Sequence, residues 1–171
     1  MMLRERPSDI SHDRFTELYG GIYEHSHWVA EAAWQERSGD SLDSVAGLHA
    51  AMAAAVDAAD EGKQERLICA HPDLAGKAAI RGELTAESKA EQSGAGLDSC
   101  TAEEFAEFQS LNKAYKSKFG FPFIIAVKGH NRHSILAAFR ARLNNERERE
   151  FKTALGEIHK IARFRLEALA A

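Results

Sequence analysis

The chain has 171 residues, about one domain at roughly 150 residues each, and it is long enough to bury a single core. Hydrophobic residues make up 44% and charged residues 28% of the sequence, the composition of an ordinary soluble globular protein rather than a disordered or membrane-spanning one. The balance of 22 Lys+Arg against 26 Asp+Glu leaves a net charge of −4, which makes nucleic acid or an anionic membrane a poor default partner.

Three prolines in the whole chain and several alanine-rich stretches favour helix over strand. In chain order, apolar spacing predicts a helix over 13–19 and a second over 22–35, broken at Gly20-Gly21. Val45, Leu48, Met52 and Val56 recur at helical steps. A helix carrying Leu67 and Ile68 should stop at His71, because Pro72 disfavours the α conformation in the residue before it. Thr85 can cap a short helix. Phe105, Phe108, Asn112, Tyr115 and Phe119 mark the next. Ile135, Leu136, Phe139 and Leu143 mark another, with Asn131 as its N-cap. Phe151, Leu155, Ile158, Ala162, Arg165 and Leu169 form the apolar stripe of the last. Three segments interrupt the pattern: 71–77, 93–96 and 120–127. The third is extended and apolar, with too few companions to build a sheet. The expected fold is therefore all-α, a single-domain helical bundle over 1–171 with its active site carried on loops.

Several residues could carry chemistry. Ser88, Glu91 and Gln92 stand at i, i+3 and i+4, so a helix capped by Thr85 puts a hydroxyl, a carboxylate and a carboxamide on one face. Such a face either grips a polar heterocycle or is simply solvated. His71, before a proline at a helix end, is suited to proton transfer near neutral pH or to a capping role. Arg165 lies in the apolar stripe of the last helix, with Arg163 well off it. A guanidinium there needs a partner, either a structural carboxylate or a bound anion. Asn112, polar inside an aromatic stripe, reads best as an amide tying loop backbone together. The backbone groups of 123–127 must bond something, whether a ligand or another loop.

Other signals are weak. His25 and His27, and His130 and His133, lack metal-ligand spacing, and no zinc pattern or phosphate loop occurs, so no metal is expected. Cys69 and Cys100 read as a core residue and a loop residue. They form neither a CxxC pair nor a disulfide framework. With no apolar signal core at the start and no peroxisomal address at Leu169-Ala170-Ala171, the reducing cytoplasm is the expected compartment. The mixed charges of 146–150 read as a solvated face.

Taken in order, the motifs are specific. They are His71-Pro72-Asp73-Leu74-Ala75-Gly76-Lys77; Ser88-x-x-Glu91-Gln92 with Gly96-Leu97; Leu111-Asn112-x-x-Tyr115-x-x-Lys118-Phe119-Gly120-Phe121-Pro122-Phe123-Ile124; and Ile161-x-x-x-Arg165-Leu166. With Glu24-His25-Ser26-x-Trp28-Val29-Ala30 they extend over nearly the whole chain. This series resembles the family of decarboxylases acting on 2-oxo-4-hydroxy-4-carboxy-5-ureidoimidazoline (OHCU), an intermediate in urate breakdown. One departure is His27, where the family commonly has proline; it touches helix entry more than chemistry.

The resemblance implies an all-helical, cofactor-free carboxy-lyase, usually a homodimer, that converts OHCU to (S)-allantoin and CO2. It implies His71 as catalytic acid and Glu91 as its partner. It implies substrate contacts from Pro72, Ser88 and Gln92, from the backbone of Phe123, Ile124, Ile125, Ala126 and Val127, and from Arg165, with Arg163 as the alternative. Two rival readings differ in class. An amidohydrolase acting on a ureido compound would need a metal-activated water, which metal analysis would detect. A non-catalytic interaction module would have no defined polar pocket.

Overall fold

The computed structural model describes residues 1–76, 79 and 81–171. Lys77, the last residue of the first motif, lies outside the described residues, as do Ala78 and Ile80. Among the described residues the regular structure is helical, with no strand longer than an isolated bridge. The helices are α1 (His12–Tyr19), α2 (His27–Gln35), α3 (Val45–Asp57), α4 (Glu61–Cys69), α5 (Ala86–Gly94), α6 (Ala102–Phe119), α7 (Arg132–Arg142) and α8 (Arg147–Ala168). Short 3-10 turns occupy Pro7–Asp9 and Leu97–Ser99.

Local chemistry sets most of the boundaries. Ser11, Ser44, Asp60 and Thr85 each accept a hydrogen bond from a backbone N–H in the first turn of α1, α3, α4 and α5, satisfying donors that a helix leaves unpaired. Thr101 and Glu104 form a reciprocal capping box at the start of α6, and Asn131 and Ser134 do the same for α7. The Thr101 N–H holds the Glu104 carboxyl below its usual range, with Arg132 of α7 adding to the effect. The helix expected over 22–35 starts only at His27. Before it, 20–26 is a succession of turns in which His25 adopts a positive φ of 48° and Ser26 N–H donates to Tyr23 O. Burial of Tyr23 and Glu24 here outweighs helical propensity.

The chain divides into two units, Met1–Ala70 with Ile158–Ala171, and His71–Glu157. In the first, α1 packs on α2 and α2 on α3, burying Phe15, Tyr19, Val29, Leu48, Met52 and Val56. Its two chain ends are knitted together. Leu3 and Ala170 form an antiparallel bridge, Arg4 N–H donates to Leu169 O and Ala171 N–H to Met2 O. Buried Asp43 accepts from both the amide and the hydroxyl of Ser8. Cys69, expected in the core, is exposed at the end of α4, because the apolar face of that short helix is already filled by Leu67 and Ile68.

In the second unit, α6 and α7 pack together around a cluster of rings. Tyr115 lies within 4.5–6.0 Å of Phe119, Phe121, Phe123 and Phe139, and Phe123 stacks on Phe139 at 3.9 Å. Gly120 ends α6 in the left-handed conformation, φ 81°, and turns the chain into the apolar segment 121–127, which is buried throughout and forms neither helix nor strand, as expected. A side chain at this φ costs roughly 1–2 kcal/mol. Gly120→Ala is accordingly expected to lower unfolding stability by about that amount, measured by urea denaturation, whereas Gly21→Ala, where an added Cβ meets nothing, is expected to be milder.

Candidate active site

The segment 71–76 leaves α4 just after its C-cap residue, Ala70, so the helix ends where the proline requires. His71 is buried, 8% exposed, with its Nε2 shielded from solvent. Irregular backbone this deep needs hydrogen-bond partners, and side chains supply them. Gln92 of α5 accepts from Ala75 N–H at 3.1 Å and donates to Asp73 O at 3.4 Å. Gln109 of α6 donates to Ala75 O at 2.7 Å, and Asn112 to Leu74 O at 3.0 Å. Lys116 then pairs with Asp73 at 2.6 Å. Gln109, Asn112 and Lys116 fall at i, i+3 and i+7 and so share one face of α6. Together these contacts hold Ala75 at a positive φ of 48°, sparsely populated for a residue with a Cβ.

Thr85 caps α5, so Ser88, Glu91 and Gln92 do share a face, with Ser88 and Gln92 buried and Glu91 half-buried. The structure thus brings Gln92 to the backbone that follows His71 and Pro72. Asn112 has the loop-tying role its position in the aromatic stripe suggested. Gln109 escaped the sequence reading although the signal was present: it is a second carboxamide three residues before Asn112.

Phe123, Ile124, Ile125, Ala126 and Val127 are all buried. Two side chains from helices take backbone groups of this stretch, and His130 N–H of the following turn donates to Val127 O. Arg142 Nη1 donates to Ile124 O at 2.6 Å, and Ala126 N–H donates to Glu157 Oε2 at 2.8 Å. Arg142 is in turn paired with Glu150 at 2.8 Å. Glu150, expected on a solvated face, is 0% exposed: it accepts from Tyr115 and Asn145 as well, enough donors to hold a buried carboxylate. Burial, reinforced by this carboxylate, pushes the Tyr115 hydroxyl well above its usual range.

Arg165 belongs to the first unit. Its side chain is buried there, and Nη1 donates to Glu24 Oε2 at 2.8 Å and to Ile22 O at 3.3 Å. A structural carboxylate therefore meets the guanidinium on the apolar stripe. Arg163 is exposed and pairs with Glu167 along the helix. Among the described residues no group of three or more His, Cys, Asp or Glu side chains is arranged to hold a metal ion, and no helix is long and apolar enough to cross a membrane.

Comparison with known proteins gives the family. The model of the OHCU decarboxylase family matches residues 8–167. The chain belongs to the OHCU decarboxylase family. It is 45% identical over 157 residues to the 2-oxo-4-hydroxy-4-carboxy-5-ureidoimidazoline decarboxylase of Haloferax volcanii, covering 92% of this chain and 89% of that protein. It is 38% identical to the decarboxylase of the same name from Amia calva, over 94% of this chain and 90% of that one. A crystal structure of (S)-allantoin synthase superposes with a TM-score of 0.75 at 35% identity, covering 96% of this chain and 52% of that one. Membership of this family makes the chain a carboxy-lyase of urate degradation.

Removing one carboxamide from the loop isolates its contribution. Asn112→Leu deletes the donor to the buried Leu74 carbonyl, and an unsatisfied buried acceptor costs roughly 1–3 kcal/mol. A loss of stability in that range is the expected result of urea denaturation.

Proposed function

We propose that this protein takes up OHCU and releases CO2 and (S)-allantoin, with His71 as general acid and Glu91 as the group that orients it. The observation that carries the reading is the burial of His71 on a loop whose following backbone is fixed by Gln92, one turn-face neighbour of Ser88 and Glu91. A proton donor confined in this way can act on one face of a small planar substrate.

The substrate supplies its own electron sink. When the bond from the ring carbon to the carboxylate breaks, its electron pair moves into the adjacent C=N unit and CO2 departs. A proton reaches the former imine nitrogen, leaving an enol. The neighbouring carbon then takes a proton as the enol hydroxyl gives one up, so one proton is consumed overall. His71 delivers a proton in this sequence, and the face from which carbon is protonated sets the hand of the product. A nearby carboxylate favours the protonated ring, which is the service assigned to Glu91. Because the carboxylate loses its negative charge as CO2 departs and the electron pair passes to the C=N unit, strong ground-state binding of the carboxylate would oppose the step.

Pro72, Ser88, Gln92 and the backbone of 123–127 complete the substrate contacts. Arg165 enters the reading through the family resemblance, as the cation that steadies an anionic substrate. The same resemblance supports a homodimer. A small diffusible substrate and the −4 net charge support a cytoplasmic enzyme that acts without nucleic acid or membrane as a partner.

The short-lived substrate can be generated in situ from urate with uricase and hydroxyisourate hydrolase, and chiral allantoin followed by circular dichroism. A positioned general acid contributes roughly 10²–10⁴-fold. His71→Asn and Glu91→Ala are each expected to lower the enzyme's acceleration of CO2 loss by a factor in that range while far-ultraviolet dichroism stays unchanged. Full activity in both folded variants would remove the assigned roles.

A further inference from the structure

We infer that Arg142 and Glu150 are a positioning pair for the substrate-contacting backbone, an inference that rests on the reading of 123–127 as part of the binding surface. Neither residue belongs to the motifs assigned to substrate. Arg142 reaches the segment in two ways: Nη1 donates to Ile124 O at 2.6 Å, and the guanidinium lies 4.3 Å from the centroid of the Phe123 ring, itself stacked on Phe139. Glu150 fixes the guanidinium from behind through Nε at 2.8 Å. Its own orientation is set by the Tyr115 hydroxyl at 2.6 Å and Asn145 Nδ2 at 3.0 Å.

Stability alone is a poor reason for this arrangement. Burying two charges carries a desolvation cost that their attraction offsets only in good geometry, and an apolar pair of similar volume often does as well or better. Arg142 Nη2 adds to the cost, being buried with no hydrogen-bond partner among the described residues. An apolar pair could fill the volume and face the rings. It could not hold the Ile124 carbonyl. The planar fork of arginine can stack on Phe123, meet Glu150 and reach Ile124 at once, which lysine cannot. The pair therefore fixes where the following residues present their backbone groups, and its effect on the reaction should be on substrate binding rather than on the proton transfer.

The test separates folding from positioning. Arg142→Met leaves Glu150 buried without its cation and is expected to lower the melting temperature. The double variant Arg142→Met/Glu150→Gln removes both charges, keeps partners for Tyr115 and Asn145, and is expected to recover most of that loss. Arg142→Lys keeps a cation beside Glu150. In both the double and the lysine variants KM in the coupled assay is expected to rise at least about tenfold with kcat within about threefold, the signature of lost uniform binding. Hydrogen exchange of the 123–127 amides in the double variant is expected to speed up about tenfold or more relative to amides of α6, as local opening becomes easier. A stable double variant with unchanged KM and unchanged exchange would overturn the inference. If the unsubstituted protein does not decarboxylate OHCU, the functional reading fails by itself, and the exchange measurement still decides whether this pair fixes the segment.

Discussion

Buried irregular backbone must find hydrogen-bond partners, and this requirement governs two segments of the second unit. A helix satisfies its own interior amides and carbonyls. The stretches 71–76 and 121–127 cannot, and no neighbouring strand is present among the described residues to pair with them. Long polar side chains from adjacent helices take that place. Gln92, Gln109 and Asn112 serve the first segment; Arg142 and Glu157 serve the second. Each of these side chains sits on a regular helix, so the position of the loop is inherited from a rigid element.

The two segments are held by different chemistry. Around 71–76 the ties are mostly neutral carboxamides, which supply donor and acceptor without a buried charge. Lys116 and Asp73 close the outer side, where water screens them and their attraction contributes little. Around 121–127 the ties are ionic and sit against aromatic rings. That choice demands a closed set of partners, and Glu150 has three: Arg142, Tyr115 and Asn145. Formal charge is thus confined to the outer side of 71–76 and concentrated beneath 121–127.

Much of this was legible in the amino-acid order. Helical spacing located most of the described helices, the Thr85 cap and Pro72 pointed to the two short ones on either side of 71–76, and Ser, Thr, Asp and Asn caps explain where most begin. The exception, 22–35, shows the limit. Ile22 fits the helical pattern, but its carbonyl is wanted by Arg165 far along the chain, and nothing local encodes that demand. Arg165 and Asn112 were recognisable as polar residues in apolar stripes, and each has the buried partner its position called for. Arg142 carries the same signal, one turn after Phe139, but it sits beside other arginines and reads as part of a charged helix end. Glu150 was misread because its neighbours Glu148 and Arg149 are solvated. Periodicity across a single turn cannot tell which of several adjacent charges faces inward; only the ring cluster around Tyr115 decides it.

The pairing of the chain ends has a topological consequence. With Ala171 N–H 2.9 Å from Met2 O and Arg4 N–H 3.2 Å from Leu169 O, a short peptide could join the two termini into a ring. Opening that ring in the exposed 36–41 turn would give a circular permutant, in which the present first four residues become an internal connection and the path through both irregular segments keeps its order.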